Sequence, residues 1–189
     1  MSRLTIYPDT QPENIILETT DGAVMTEELN KIGVRFERWE TQAPLPEGAD
    51  DNAVMDAYHD DIQRLKDENG YQSVDIIRLA SDHPQKDELR NKFLSEHTHS
   101  EDEVRFFVEG AGIFYLRVDE KVYMTLCERG DLMSVPTGTK HWFDMGPQPH
   151  LTCIRLFTST DGWVADFTGD EIAEEFPKFD NKTASEKAA

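Results

Sequence analysis

The run Glu96-His97-Thr98-His99-Ser100-Glu101-Asp102-Glu103 concentrates the chemistry of this chain. It sets two imidazoles, His97 and His99, before a carboxylate, Glu103. A third imidazole, His141, follows the turn-forming segment Pro136-Thr137-Gly138-Thr139-Lys140. Three nitrogens and one carboxylate oxygen suit a first-row transition ion such as iron, nickel, manganese or copper. On a six-coordinate ion two positions stay open for a substrate, which makes the cluster a candidate for catalysis. A structural zinc site fits less well, because such sites are tetrahedral and rich in cysteine, and this cluster has none. His59, His83 and His150 lack ligand spacing and read as surface or loop residues.

These side chains need an extended backbone to converge. His97 and His99 can face one cavity from such a segment. In a strand, Glu103, Arg105 and Phe107 share a face. If that face looks inward, Arg105 enters the same cavity as Glu103, where a guanidinium requires an anionic partner. Glu103 itself supplies one, and an anionic substrate would supply another. The sequence leaves both open.

The segment after the cluster has the texture of a β-structure. Glu103–Val108, Gly112–Val118, Val122–Leu126, Asp131–Val135, His141–Met145 and Leu151–Phe157 read as six successive strands bounded by Gly, Pro and Asp turns. Such spacing points to an antiparallel sandwich or barrel. Gly110, Gly130, Pro136 and Gly138 supply turns able to swing His141 back toward the other three.

The preceding residues mix signals. Leu4–Tyr7, Ile15–Leu17, Val34–Arg38 and Ser73–Leu79 read as strands, and Thr26–Lys31 as a helix capped by Thr26. Pro44-Leu45-Pro46-Glu47-Gly48 is a loop. Asn52–Glu68 shows apolar residues at helical steps (Val54, Met55, Tyr58, Ile62, Leu65) and ends at Asn69-Gly70. Asp82–Phe93 reads as a further helix with Pro84 in its first turn, and Glu171–Phe176 as a short one. The reading is therefore one domain over 1–180, mostly β, with a mixed α/β part at 1–95 packed against a β-rich part at 96–160. Residues 181–189 are expected to form a loose tail.

Bulk properties bound the partners. The chain has 189 residues, enough for a sizeable core. Its 38 acidic and 19 basic residues give a formal net charge of −19. Such a surface repels phosphate backbones and anionic membranes and disfavours self-association. No nucleic acid, no membrane and a monomer are expected. Cys127 and Cys153 sit in apolar runs and read as buried free thiols. With no signal-like N-terminal region and no apolar run near the roughly 20 residues of a membrane helix, the expected compartment is the cytoplasm.

The two histidine segments resemble the paired motifs of the cupin superfamily. Asn91 stands where the first motif opens with glycine, and Met145 where the second ends with asparagine. Neither departure touches a ligand position. The stretch Glu96 to Gly110, together with Pro136–Phe143 and the mixed N-terminal half, is similar to the acireductone dioxygenase family of methionine salvage.

The resemblance implies a cupin-type antiparallel β-barrel, jelly-roll-like, with His97, His99, Glu103 and His141 holding one Fe2+ or Ni2+ per chain. It implies that Arg105 helps the substrate reach or hold its dianion. It links Glu96 to metal incorporation and Asp102 to the relay of local conformational change. The implied substrate is 1,2-dihydroxy-5-(methylthio)pent-1-en-3-one, cleaved with O2. Iron would give 4-methylthio-2-oxobutanoate and formate; nickel would give 3-(methylthio)propanoate, formate and CO. Phe93, Phe107, Phe143, Phe157 and Trp163 are candidates for the slot that takes the methylthioalkyl tail. Rival readings are another metal-dependent cupin enzyme and a cupin that binds metal or ligand without turnover.

Overall fold

A computed structural model describes residues 1–39, 45–46, 48–159 and 164–180. In chain order the elements are β1 (Arg3–Pro8), β2 (Leu17–Thr19), α1 (Gly22–Lys31), β3 (Arg35–Arg38), α2 (Asp51–Ala57), α3 (His59–Asn69), β4 (Ser73–Leu79) and α4 (Lys86–Leu94). They continue with β5 (His97–Thr98), β6 (Glu103–Val118), β7 (Lys121–Glu128), β8 (Asp131–Val135), β9 (Lys140–Asp144), β10 (Leu151–Phe157) and β11 (Asp166–Phe167). A single 3-10 turn, Ile172–Glu174, follows.

The strand pairings are antiparallel, and β6 carries the architecture. Its first half pairs with β8 and β10, and its second half with β7 and β9. One sheet then runs β11-β5-β9-β6-β7-β1-β2, while β4 and β3 extend the other through β10 and β8. The expected break between Glu103–Val108 and Gly112–Val118 is therefore one continuous 16-residue strand. Gly110 lets it pass from sheet to sheet. Its φ of 76° suits glycine, and any Cβ there would collide with the His150 carbonyl.

Alternation along β6 divides the core into layers. Phe107, Phe114 and Leu116 lie between the sheets with Phe143, Cys127 and Cys153, and Met25 and Leu29 of α1 join the same cluster. Val104, Phe106 and Val108 face outward and are covered by Val54, Tyr58, Ile62 and Leu65 of the helical segment. Ile113 and Tyr115 face out on the other side and meet Ile172, Ala173, Phe176 and Phe179. Both cysteines are buried and free, as expected. Among the described residues no helix is long and apolar enough to cross a membrane.

Several boundaries differ from the sequence reading. The first helix starts at Gly22, because the Asp21 carboxylate accepts from the Ala23 and Val24 amides at 2.8 and 3.3 Å. Thr26 is interior to it, and its hydroxyl donates to the Phe36 carbonyl instead. The expected helix Asn52–Glu68 is two helices, α2 and α3, interrupted at Tyr58. Tyr58 is buried and packs edge-on against Phe106, 4.8 Å between ring centroids. The interruption preserves the phase of the apolar face, so periodicity alone ran through it. In the third helical region, turns around His83 and Pro84 delay α4 to Lys86. The segment expected as a helix at Glu171–Phe176 is the 3-10 turn. The second strand begins at Leu17, leaving Ile15 and Ile16 exposed. The tail 181–189, Trp163 and part of the Pro44–Gly48 loop lie outside the described residues.

Candidate metal centre

Strand register gathers the four candidate ligands. His97 in β5 lies opposite His141 in β9. Glu103 opens β6, opposite Val135 of β8. His99 sits in the loop between β5 and β6, whose backbone is tied to the loop before His141: Gly138 N–H and the Thr137 hydroxyl donate to the His99 carbonyl at 2.9 and 3.2 Å. All four side chains are buried, and one ligand atom from each falls within 4.8 Å of the others. The imidazole centroids are 4.4 to 5.1 Å apart.

The donor chemistry fits a cation. Backbone carbonyls of Ser95, Val164 and Thr139 accept from Nδ1 of His97, His99 and His141 at 2.7, 2.9 and 2.8 Å. That assigns the hydrogen to Nδ1 in each ring and leaves every Nε2 as a lone-pair donor, the arrangement in which outer partners orient metal-binding imidazoles. The Nε2 atoms of His99 and His141 lie 3.1 and 2.9 Å from Glu103 Oε2.

The electrostatics differ from residue to residue. Burial, the largest influence on His97, pushes it down to about 4, with His141 adding to the effect, so its ring stays neutral near pH 7. Burial also acts to raise Glu103, but Arg105, then His141 and His99, outweigh it and hold the carboxyl well below its usual range. For His99, burial acts to lower the pKa, but the hydrogen bond and charge of Glu103 overcome it and the net shift is upward.

Arg105 stands beside the cluster. Its Nη2 donates to Glu103 Oε1 at 2.8 Å, and its guanidinium lies over the Phe143 ring at 4.5 Å. Glu103 and Arg105 thus share one cavity, as alternation required. That cavity measures about 110 Å³, and its described lining also includes Phe93, Phe143, Lys92, Arg155, Ala165 and Phe167.

Phe93 and Phe143 therefore reach the cavity. Phe107 is in the core between the sheets and, like Phe157, is not part of the described lining. Lys92, Arg155, Ala165 and Phe167 had no sequence signal. They arrive through tertiary pairing, Phe167 by lying opposite His97.

The two flanking acids lie apart from the four. Glu96 is buried, accepting from the Thr168 hydroxyl at 2.8 Å and facing Arg117 Nη1 at 3.4 Å. Asp102 accepts from the Thr137 amide at 2.9 Å, linking the first histidine loop to the one that precedes His141. His59 and His150 are exposed, and His83 lies in a turn.

An antiparallel jelly-roll-like β fold with three histidines and one carboxylate converging in a buried cavity defines a cupin-type metal-binding protein. The match goes further than the fold. The chain belongs to the ARD/ARD' family, whose model matches residues 3–165. It is 57% identical over 182 residues to an acireductone dioxygenase of Parvibaculum lavamentivorans, covering 96% of this chain and 99% of that protein. It is 55% identical over 180 residues to one of Hahella chejuensis, covering 95% and 97%. Its fold matches the structure of an acireductone dioxygenase from Bacillus anthracis with a cadmium ion in its active centre. The TM-score there is 0.77 at 28% identity, over 88% of this chain and 98% of the other.

Proposed function

We propose that this chain is a metal-dependent acireductone dioxygenase of methionine salvage, cleaving 1,2-dihydroxy-5-(methylthio)pent-1-en-3-one with O2. The observation that carries the reading is the buried cluster of His97, His99, Glu103 and His141, with Arg105 on its rim. We infer that these four hold one Fe2+ or Ni2+. Three imidazoles and a carboxylate serve either ion, and the products would follow the ion as the family resemblance implies. When bound, the ion supplies Lewis-acid polarisation of the enediol oxygens.

The chain's own residues do the rest. The Arg105 guanidinium adds positive charge where the deprotonated enediol concentrates negative charge. Its position over Phe143 and against Glu103 fixes it without a flexible search. Phe93, Phe143 and Phe167 give the methylthioalkyl tail an apolar wall. Glu96 acts on metal incorporation, a role its burial beside Thr168 and Arg117 supports. Asp102 couples the two ligand loops through Thr137, which supports a role in relaying local movement. The net charge of −19 favours a monomer, and two buried free thiols suit a reducing cytoplasm.

The test is oxygen uptake on mixing iron-loaded or nickel-loaded protein with the acireductone. Uptake that requires both substrate and metal is expected. No uptake with either ion would contradict the reading.

A further inference from the structure

The substrate of the proposed reaction poses an electrostatic problem. An enediol conjugated to a carbonyl is a vinylogous acid, so the acireductone is an anion at neutral pH. It approaches a protein whose formal net charge is −19, whose field opposes its arrival. The cavity lining is the reverse of that surface. Its described cations are Lys92, Arg105 and Arg155, and its described carboxylate is Glu103.

The three cations differ in what holds them. Arg105 is fixed to Glu103. Arg155 makes a two-pronged pair with Asp75, at 2.8 and 2.6 Å. Lys92 lies in the last turn of α4, is exposed, and makes no side-chain hydrogen bond or ion pair among the described residues. Glu88, one turn earlier on the same helix, forms no ion pair with it, whereas Lys31 and Lys178 both engage acids three or four residues earlier in the chain. Two guanidinium charges are thus largely met by carboxylates, while the Lys92 ammonium stands at the opening.

We propose that Lys92 is a positioning residue that captures the anionic substrate at the cavity mouth and hands it inward to Arg105. The inference rests on the acireductone reading and extends it to a residue that acts on arrival rather than on the reacting atoms. A steering charge accelerates association and is screened by salt, with a Debye length of about 10 Å at 0.1 M. A lysine serving only the C-terminal end of its helix dipole would instead alter stability, with no dependence of substrate association on ionic strength.

The experiment is anaerobic stopped-flow mixing of metal-loaded protein with the acireductone at low and high salt, using wild type, K92Q, K92E and K92R. Without oxygen the binding step is read apart from turnover. At low salt, association is expected to slow about 3-fold for K92Q and about 10-fold for K92E, with K92R near wild type. The curves should converge at high salt, and under oxygen KM should rise while kcat stays within about 2-fold. Equal association rates and salt slopes for all four proteins would overturn the proposal. So would a loss in K92Q that persists at high salt or tracks a fall in melting temperature. Wild type that binds no acireductone would refute the function itself and this inference with it. Normal binding with an inert Lys92 would refute only the latter.

Discussion

Along the first half of β6, Glu103 and Arg105 turn into the metal cavity while Val104 and Phe106, one residue along, turn beneath the helical segment α2–α3. The two faces are built from the same few residues of backbone but solve opposite problems. On the inner face the buried carboxylate and imidazoles have polar partners: Glu103 Oε1 accepts from Arg105, and the three Nδ1 atoms donate to backbone carbonyls. On the outer face the contacts are apolar and aromatic, with Phe106 stacked on Trp39 at 4.3 Å and edge-on to Tyr58. Precise ligand geometry comes from the first face, and the rigidity that preserves it comes from the second. Function and stability should therefore separate by alternate residues of one strand.

The sharpest attempt to break that separation is Glu103→Ala. Loss of a group that merely orients a ligand costs about 10–100-fold in metal affinity or activity. Loss of Glu103, the carboxylate proposed to hold the ion, should exceed that, read as metal content by elemental analysis and as oxygen uptake. On the opposite face, Phe106→Ala removes a fully buried ring and should cost about 3–5 kcal/mol of unfolding free energy. Metal stoichiometry and kcat measured well below the melting transition should be retained. A Phe106→Ala protein that is stable but metal-free would erase the distinction between the faces.

Arg105→Ala sharpens it from within the polar face. Turnover should fall about 100- to 1,000-fold, the scale for removing one electrostatic donor, while metal content stays near normal. Unchanged activity would remove Arg105 from the mechanism.

The smallest effect belongs to the half-exposed acid beside Trp39. Glu37 accepts from the Trp39 indole at 2.7 Å and from Arg35 at 2.6 Å. Burial acts to raise its pKa, but the Trp39 and Arg35 hydrogen bonds prevail, and the net shift is downward. A carboxyl depressed in the folded state contributes stability above its unfolded pKa of about 4.3 and loses it as pH falls through the folded value. Glu37→Gln should flatten that acid limb by about 1 kcal/mol or less, given its partial exposure. Urea titrations between pH 7 and 3 would show it, with no change in metal content.

The inner face was legible in the sequence and much of its setting was not. His97, His99, Glu103 and His141 carry their chemistry in residue type, and the even-odd alternation of a strand placed Arg105 beside Glu103. Gly110 marked a turn, but only the pairing of β6 with strands in both sheets shows that the chain passes through it unbroken. The Tyr58 interruption was invisible because it keeps the apolar phase. Residue type alone does not separate Thr26 from Asp21 as a cap; the Ala23 and Val24 amides, which donate to Asp21, decide. Lys92, Arg155, Ala165 and Phe167 escaped because no local pattern encodes which distant strand borders β5.

The most direct measurement is X-ray absorption spectroscopy of nickel-loaded wild type and His141→Ala, each before and after anaerobic addition of the acireductone. One ion per chain with three imidazole ligands is expected in wild type and two in the variant, with substrate oxygens entering the wild-type shell. A wild-type ion with fewer than three imidazoles, or a shell indifferent to the substrate, would contradict a single open centre built by these four side chains.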